Sequence, residues 1–454
     1  MKKYLAILIM FFILFSSTNA YNLTNEDIKV ANTIKNKIEI SIKIKWENYR
    51  TKYIDTVKKL SIKYKDNEKI KSILDKIAIL LNNQNITYKI VDTWVIQYYD
   101  NDSSISKPSE NDNFYWQDAN YQINNPSYTD NNDGTLTDNV TWLMWQKDMW
   151  EKISYRDALK KADELELWWY DDWRVPTIKE LYSLIQFTGK VWWQTAEKSF
   201  IDTTYFKQPL GDTSKWEREI DAQTWSSTKY VWLTMNRDST IFWVNFIDGR
   251  IKWYPELIPG KRTDNKMYFR MVRWNKEYGK NNFIDNWDWT ISDLATWLMW
   301  QKDDSKKWID WKWALEYVND LELWWHSDWR LPNAKELQSI VDYSRSPQTT
   351  NSAAIDEKFD ISSIIDPKWK KNYPFFWTST THLDGRYPES SAIYICFWEC
   401  QWKMNWNLMD VHWAWAQRSD PKSGNAYDYP QYFWPQWDIR YVFNYARAVR
   451  NINY

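Results

Sequence analysis

The strongest constraint on this chain is that it repeats itself over a length that makes a domain. Asp130–Asp148 reads DNNDGTLTDNVTWLMWQKD, and Asp285–Asp303 reads DNWDWTISDLATWLMWQKD. Farther on, ELELWWYDDWRVPTIKEL (Glu164–Leu181) is matched by DLELWWHSDWRLPNAKEL (Asp320–Leu337), and QTWSST (Gln223–Thr228) by FFWTST (Phe375–Thr380). Both copies close on a similar strand, YFRMVRW (Tyr268–Trp274) and YARAVRN (Tyr445–Asn451). The copies therefore run over 114–276 and 277–454. At this period each copy is a domain and not a solenoid unit. Hydrophobic residues at 44% and charged residues at 26% fit a folded chain and exclude wholesale disorder. Lys+Arg 59 against Asp+Glu 60 leaves a net charge of -1, so no global basic field points to nucleic acid. Two cysteines exclude a disulfide-dense scaffold and a cysteine-based zinc finger.

The first 113 residues differ from the repeat. Lys2 and Lys3 precede an apolar run from Leu5 to Phe15, and Thr18 and Ala20 are the small residues of a signal-peptidase site. Residues 1–20 are expected to be a signal peptide cleaved near Ala20, which makes the mature chain secreted or attached to the cell surface. Residues 21–98 are Lys-rich and show helical spacing at Tyr49, Tyr53, Val57 and Leu60 and at Ile70, Ile73, Leu74, Ile77 and Leu81. That spacing predicts a helical hairpin, read as a packing or spacer module with a solvated Lys face. The polar stretch 99–113 reads as a linker.

Tryptophan is abnormal here, at 36 residues against 8 glycines. The repeat shows why. Gly134 of the first copy faces Trp289 of the second inside one hairpin turn, a position that wants positive φ. Trp168–Trp169 and Trp324–Trp325 stand where a helix ends, the place for a C′ glycine. Trp142, Trp192, Trp287, Trp413, Trp415 and Trp437 belong to the same set. These positions behave as glycines, as if UGA codons that a bacterium reads as glycine had been translated as tryptophan. Such residues should be exposed, in loops and often at positive φ. Trp145, Trp173, Trp225, Trp300, Trp329 and Trp377 lie in apolar settings common to both copies and should be true buried anchors.

Short helices are marked by their caps. Ser154 with Asp157, and Asp310 in the second copy, start amphipathic segments carrying Ala158, Leu159, Ala162 and Leu165, and Leu315, Val318 and Leu321. Thr177-x-x-Glu180 after Pro176 is a capping box, and Asn333-x-x-Glu336 after Pro332 is its twin. Asp172-Trp173-Arg174 and Asp328-Trp329-Arg330 are the sharpest local motif. They suit a guanidinium paired to a carboxylate with Trp packed beside it better than a ligand-facing Arg. With glycine restored, the signature DNxDGT…TGLMWQKD…LGGxxDWRLPxxKEL…FWSST…VR resembles the C-terminal domain family of the Lcl collagen-like adhesins. It covers both copies, about 340 residues. The DWR-[VL]-P-x-x-x-E-L piece also resembles formylglycine-generating enzymes. The resemblance implies an α+β fold: two C-type-lectin-like domains in tandem after the N-terminal helical segment.

Other residues admit two readings. Asp130, Asp133, Asp285 and Asp288 are calcium candidates, but their spacing is not that of an EF-hand loop, and Asn/Asp turn chemistry accounts for them without metal. Cys396 and Cys400 are spaced for a small-loop disulfide. The alternative is a copper or redox pair like that of formylglycine-generating enzymes, but the first copy has Asn245 and Gly249 there. His326, His382 and His412 do not repeat, and no catalytic residue is assigned. The expectation is therefore a non-enzymatic exported protein that binds extracellular polysaccharide or another cell-surface component. It has no cofactor unless calcium, and a homo-oligomer is left open. A copper oxidase and a purely structural surface protein are the alternatives.

Overall fold

Strand and turn residues alternate so tightly in both copies that most strands are only two to four residues long. The computed structural model describes residues 88–452, apart from 150, 166–169, 193–194, 235–236, 430–431, 434–435 and 438. The signal peptide, the helical spacing up to Leu81, and Trp168 and Trp169 lie outside the described residues. In the first copy the order is β1 (Tyr128–Asp130), β2 (Thr135–Asp138), β3 (Met144–Gln146), α1 (Tyr155–Glu164), α2 (Ile178–Ser183), β4 (Gln223–Leu233), β5 (Ser239–Asn245), β6 (Arg250–Pro255) and β7 (Val272–Arg273). The second copy follows with β8 (Phe283–Asp285), β9 (Thr290–Asp293), β10 (Leu298–Gln301), α3 (Trp311–Asn319), α4 (Ala334–Ser339), β11 (Phe375–Thr381), β12 (Ser391–Cys396), β13 (Gln417–Pro421) and β14 (Val449–Asn451).

The equivalent strands pair in the same way. Both copies build a four-stranded antiparallel sheet, β1–β2–β3–β7 and β8–β9–β10–β14. Leu136 faces Trp145 and Trp145 faces Val272, while Ile291 faces Trp300 and Trp300 faces Val449. All six are buried, so each tryptophan anchors its sheet from the central strand. Asp133 accepts from the Thr135 N–H at 2.9 Å and Asp288 from the Thr290 N–H at 3.1 Å, which closes the tip of each first hairpin.

The copies then merge. A six-stranded sheet has the order β4–β5–β6–β13–β12–β11, three strands from each copy, joined where Ile251 faces Gln417. One buried cluster contains Leu136, Trp145 and Phe242 of the first copy with Trp300, Leu337 and Ile395 of the second. The described residues belong to one compact unit.

The α+β expectation with two C-type-lectin-like domains is corrected. The described residues are mainly β, in eight small antiparallel sheets, with four short helices of ten, six, nine and six residues. The caps located those helices correctly, but helices this short cover only patches of sheet and make no layer of their own. The helical spacing read in 21–98 lies outside the described residues, which begin at 88. Residues 88–97 carry no helix or strand, and Tyr98–Tyr99 pairs with Ser104–Ile105 of the stretch read as a linker.

Candidate functional site

The paired DWR motifs resolve into structural clusters. Arg174 donates to both Glu180 oxygens at 2.6 and 2.5 Å, and Arg330 to both Glu336 oxygens at 2.6 Å. The same carboxylates close the capping boxes by accepting from the Thr177 and Asn333 N–H groups at 2.8 and 2.9 Å. Asp172 pairs with Arg273 at 2.5 Å and Asp328 with Arg450 at 2.6 Å, which ties each motif to the closing strand of its own copy. Trp173 and Trp329 are buried beside them. Pro176 and Pro332 leave their carbonyls free to accept from Ser227 and Ser379 N–H at 2.7 and 2.8 Å. Burial opposes the Arg330 charge, but the adjoining Glu336 carboxylate outweighs it and holds the guanidinium above its usual range.

Helices α2 and α4 cap one another. The Lys179 ammonium donates to Ser339 O at 2.6 Å, Gly279 O at 2.9 Å and Asn281 Oδ1 at 2.9 Å. Lys335, its counterpart, donates to Ser183 O at 2.7 Å and Asp92 O at 3.0 Å. Each lysine thus satisfies a carbonyl at the end of the other copy's helix, where backbone acceptors have no helical partner. Burial lowers Lys179 to about 8 and Lys335 to about 7. The repeat aligns these lysines in TIKEL and NAKEL, but nothing local to either motif shows that each reaches the other copy's helix.

Beside α2 lies an open recess of about 690 Å3, with Arg174, Ser227, Thr228, Tyr278, Lys280 and Tyr343 in its lining. It joins residues of both copies at the seam. The equivalent place on the second copy is filled by residues 92–121. There the Tyr121 hydroxyl donates to Leu331 O at 2.7 Å and hydrogen-bonds Ser379, and its ring lies 3.9 Å from the Arg330 guanidinium carbon. Asp118, pushed up to about 7 by burial, accepts from Thr380 at 2.6 Å and Thr93 at 2.7 Å. Neither Tyr121 nor Asp118 stands out in the sequence, because nothing local marks a residue that packs some 200 positions away.

The remaining candidates are accounted for by local structure. Asp130 and Asp285 form ion pairs with Lys147 and Lys302, and Asp133 and Asp288 close the hairpin turns. Among the described residues no cluster of His, Cys, Asp and Glu is arranged to hold a metal. Cys396 and Cys400 form a buried disulfide with Cα atoms 5.9 Å apart, so neither offers a thiolate to copper. His382 is buried between Ser419 and the Asp248 carbonyl and lowered to about 3, first by burial and then by Arg250. His412 is buried against Trp402.

The tryptophans divide sharply. Among the described residues, tryptophan supplies 14 of the 22 non-glycine residues with positive φ. Trp142, Trp287, Trp289, Trp324 and Trp325 are both exposed and at positive φ, while Trp192 is exposed in a short strand. Trp145, Trp173, Trp225, Trp300, Trp329 and Trp377 are buried. Trp413 and Trp415 have positive φ but are buried, against expectation, because the seam gives them a pocket. Trp415 packs on Tyr230, Phe242 and Tyr343, and its indole N–H donates to Arg345 O at 2.9 Å.

These features define a tandem-repeat β protein whose two copies share one sheet and leave one recess open at their seam. The Lcl C-terminal domain family matches residues 134–273 and 289–419, and the chain belongs to that family. No curated protein and no solved structure matches it. The second family match stops at 419, but β14 still completes the second copy's four-stranded sheet.

Proposed function

We propose that this is an exported, non-enzymatic surface-binding protein of the adhesin type, and that its ligand is an extracellular polysaccharide. Membership of the Lcl C-terminal domain family supports the surface-binding part. One observation carries the preference for binding over catalysis. The residues that most invited a chemical role are consumed in structure, in both copies where they repeat. Arg174 and Arg330 are bidentate to capping-box carboxylates, and the cysteine pair is closed. What stays open is a recess whose lining sets the rings of Tyr278 and Tyr343 among charged groups of both signs, Arg174 and Lys280 with Asp342 and Asp356. The test is a glycan array probed with protein carrying glycine at the positive-φ tryptophan positions. Retention of defined polysaccharides supports the reading. Binding to no glycan and to no cell surface overturns it.

A further inference from the structure

Comparing the two copies shows one groove filled and its equivalent open. On the second copy, the turn Asp118-Ala-Asn-Tyr121 covers the Arg330–Glu336 pair and the start of α4. Three groups receive it: the Leu331 carbonyl with Ser379, the Thr380 hydroxyl, and the face of the Arg330 guanidinium. All three have counterparts on the first copy in the same local frame. Ser227 N–H donates to Pro176 O as Ser379 N–H does to Pro332 O, at 2.7 and 2.8 Å. The Ile178 N–H donates to Thr228 Oγ1 at 3.0 Å as the Ala334 N–H does to Thr380 Oγ1 at 3.0 Å. Arg174 grips Glu180 as Arg330 grips Glu336.

The difference is exposure. The Arg330 side chain is 4% exposed under the Tyr121 ring, whereas Arg174 is 25% exposed and faces the recess. Thr380 donates to the Asp118 carboxylate, while the Thr228 hydroxyl has no acceptor among the described residues. The recess carries charges of both signs, with Lys276 and Lys280 set against Asp342 and Asp356.

We propose that the first-copy recess is a docking site for a partner polypeptide presenting an Asp-x-x-Tyr turn, the motif with which this chain fills its second copy. The partner's phenol lies on the Arg174 guanidinium and donates to the Val175 carbonyl beside Ser227. Its carboxylate accepts from Thr228 three residues earlier in the turn. This goes beyond the polysaccharide reading, since the partner is protein and the surface is the seam recess.

The probe is a fluorescent peptide of residues 114–124, titrated against the whole protein by polarisation. The expected result is saturable binding at one site, weakened about tenfold by Tyr121→Phe and by Asp118→Ala in the peptide, each change removing a hydrogen-bonding group. These changes leave the protein untouched, so they cannot fail through misfolding. Ser227→Leu in the protein, shown by its unfolding midpoint to be folded, should abolish binding. No binding, equal binding of the altered peptides, or binding unaffected by Ser227→Leu overturns the proposal; the last would mean that the peptide displaces the chain's own turn instead. A peptide probe keeps this result independent of the glycan array.

Discussion

At Trp287, Trp289 and Trp325 the main chain has φ of 58°, 67° and 65°, and all three rings stand in water. An L-residue in this region costs about 1–2 kcal/mol that glycine avoids. Trp289→Gly should therefore raise the stability of the protein by about 1 kcal/mol, read from urea unfolding. Trp300, fully buried between Ile291 and Val449, should behave oppositely, and Trp300→Ala should lose about 3–5 kcal/mol. Mass spectrometry of the tryptic peptide 281–302 from the native source tests the recoding directly. Glycine is expected at 287, 289 and 297, where φ is positive, and tryptophan at 300. Tryptophan at all four positions would end the recoding idea. The anchors were legible in the sequence because both copies place them in apolar runs. Trp415 was not, since its pocket comes from Tyr230 and Tyr343, which adjoin only in the folded chain.

Helices α2 and α4 have six residues each, too few to persist on propensity alone. Their capping boxes and crossed lysines hold them. Glu336→Gln keeps the shape but leaves the Arg330 guanidinium buried without its counter-charge, and should cost about 3 kcal/mol or more. Glu180→Gln should cost less because water reaches Arg174. Chemical denaturation of both variants checks the order. The lysines also predict a pH response. Their folded values near 7 and 8 lie below the 10.5 of a free lysine, so between these limits the unfolded chain holds protons that the folded chain has released. Stability from these groups therefore rises with pH from about 7 towards 10. Asp92, Asp118 and Asp138 face Lys335, and Asp293 and Asp342 face Lys179, each favouring the charged form against burial. Lys335→Met should flatten the rise in melting temperature over pH 7–9; an unchanged slope would show that Lys335 does not cause it. The capping boxes were readable as letters, but the crossing of Lys179 and Lys335 was not, because it depends on how the two copies meet.

Because β6 and β13 join the copies into one sheet, the largest buried cluster is shared between them, beside one smaller cluster within each copy. Residues 88–454 should melt in one calorimetric transition, and residues 114–276 alone should show no cooperative unfolding. Two well-separated transitions would show that the copies are independent domains. The shared sheet also makes the chain asymmetric in use, since one groove is filled by residues 92–121 and its twin lies open.

By itself the sequence determined what depends on neighbours in the chain. The duplication, the family, the hairpin turns, the helix starts and the glycine-like tryptophans all follow from local backbone chemistry and side-chain periodicity. Tertiary structure alone decided the mainly β architecture, the merger of two copies into one sheet, the lysine crossing and the choice of open groove. Those features rest on contacts between residues far apart in the chain, such as Ile251 with Gln417 and Tyr121 with Leu331, whose pairing no local pattern encodes.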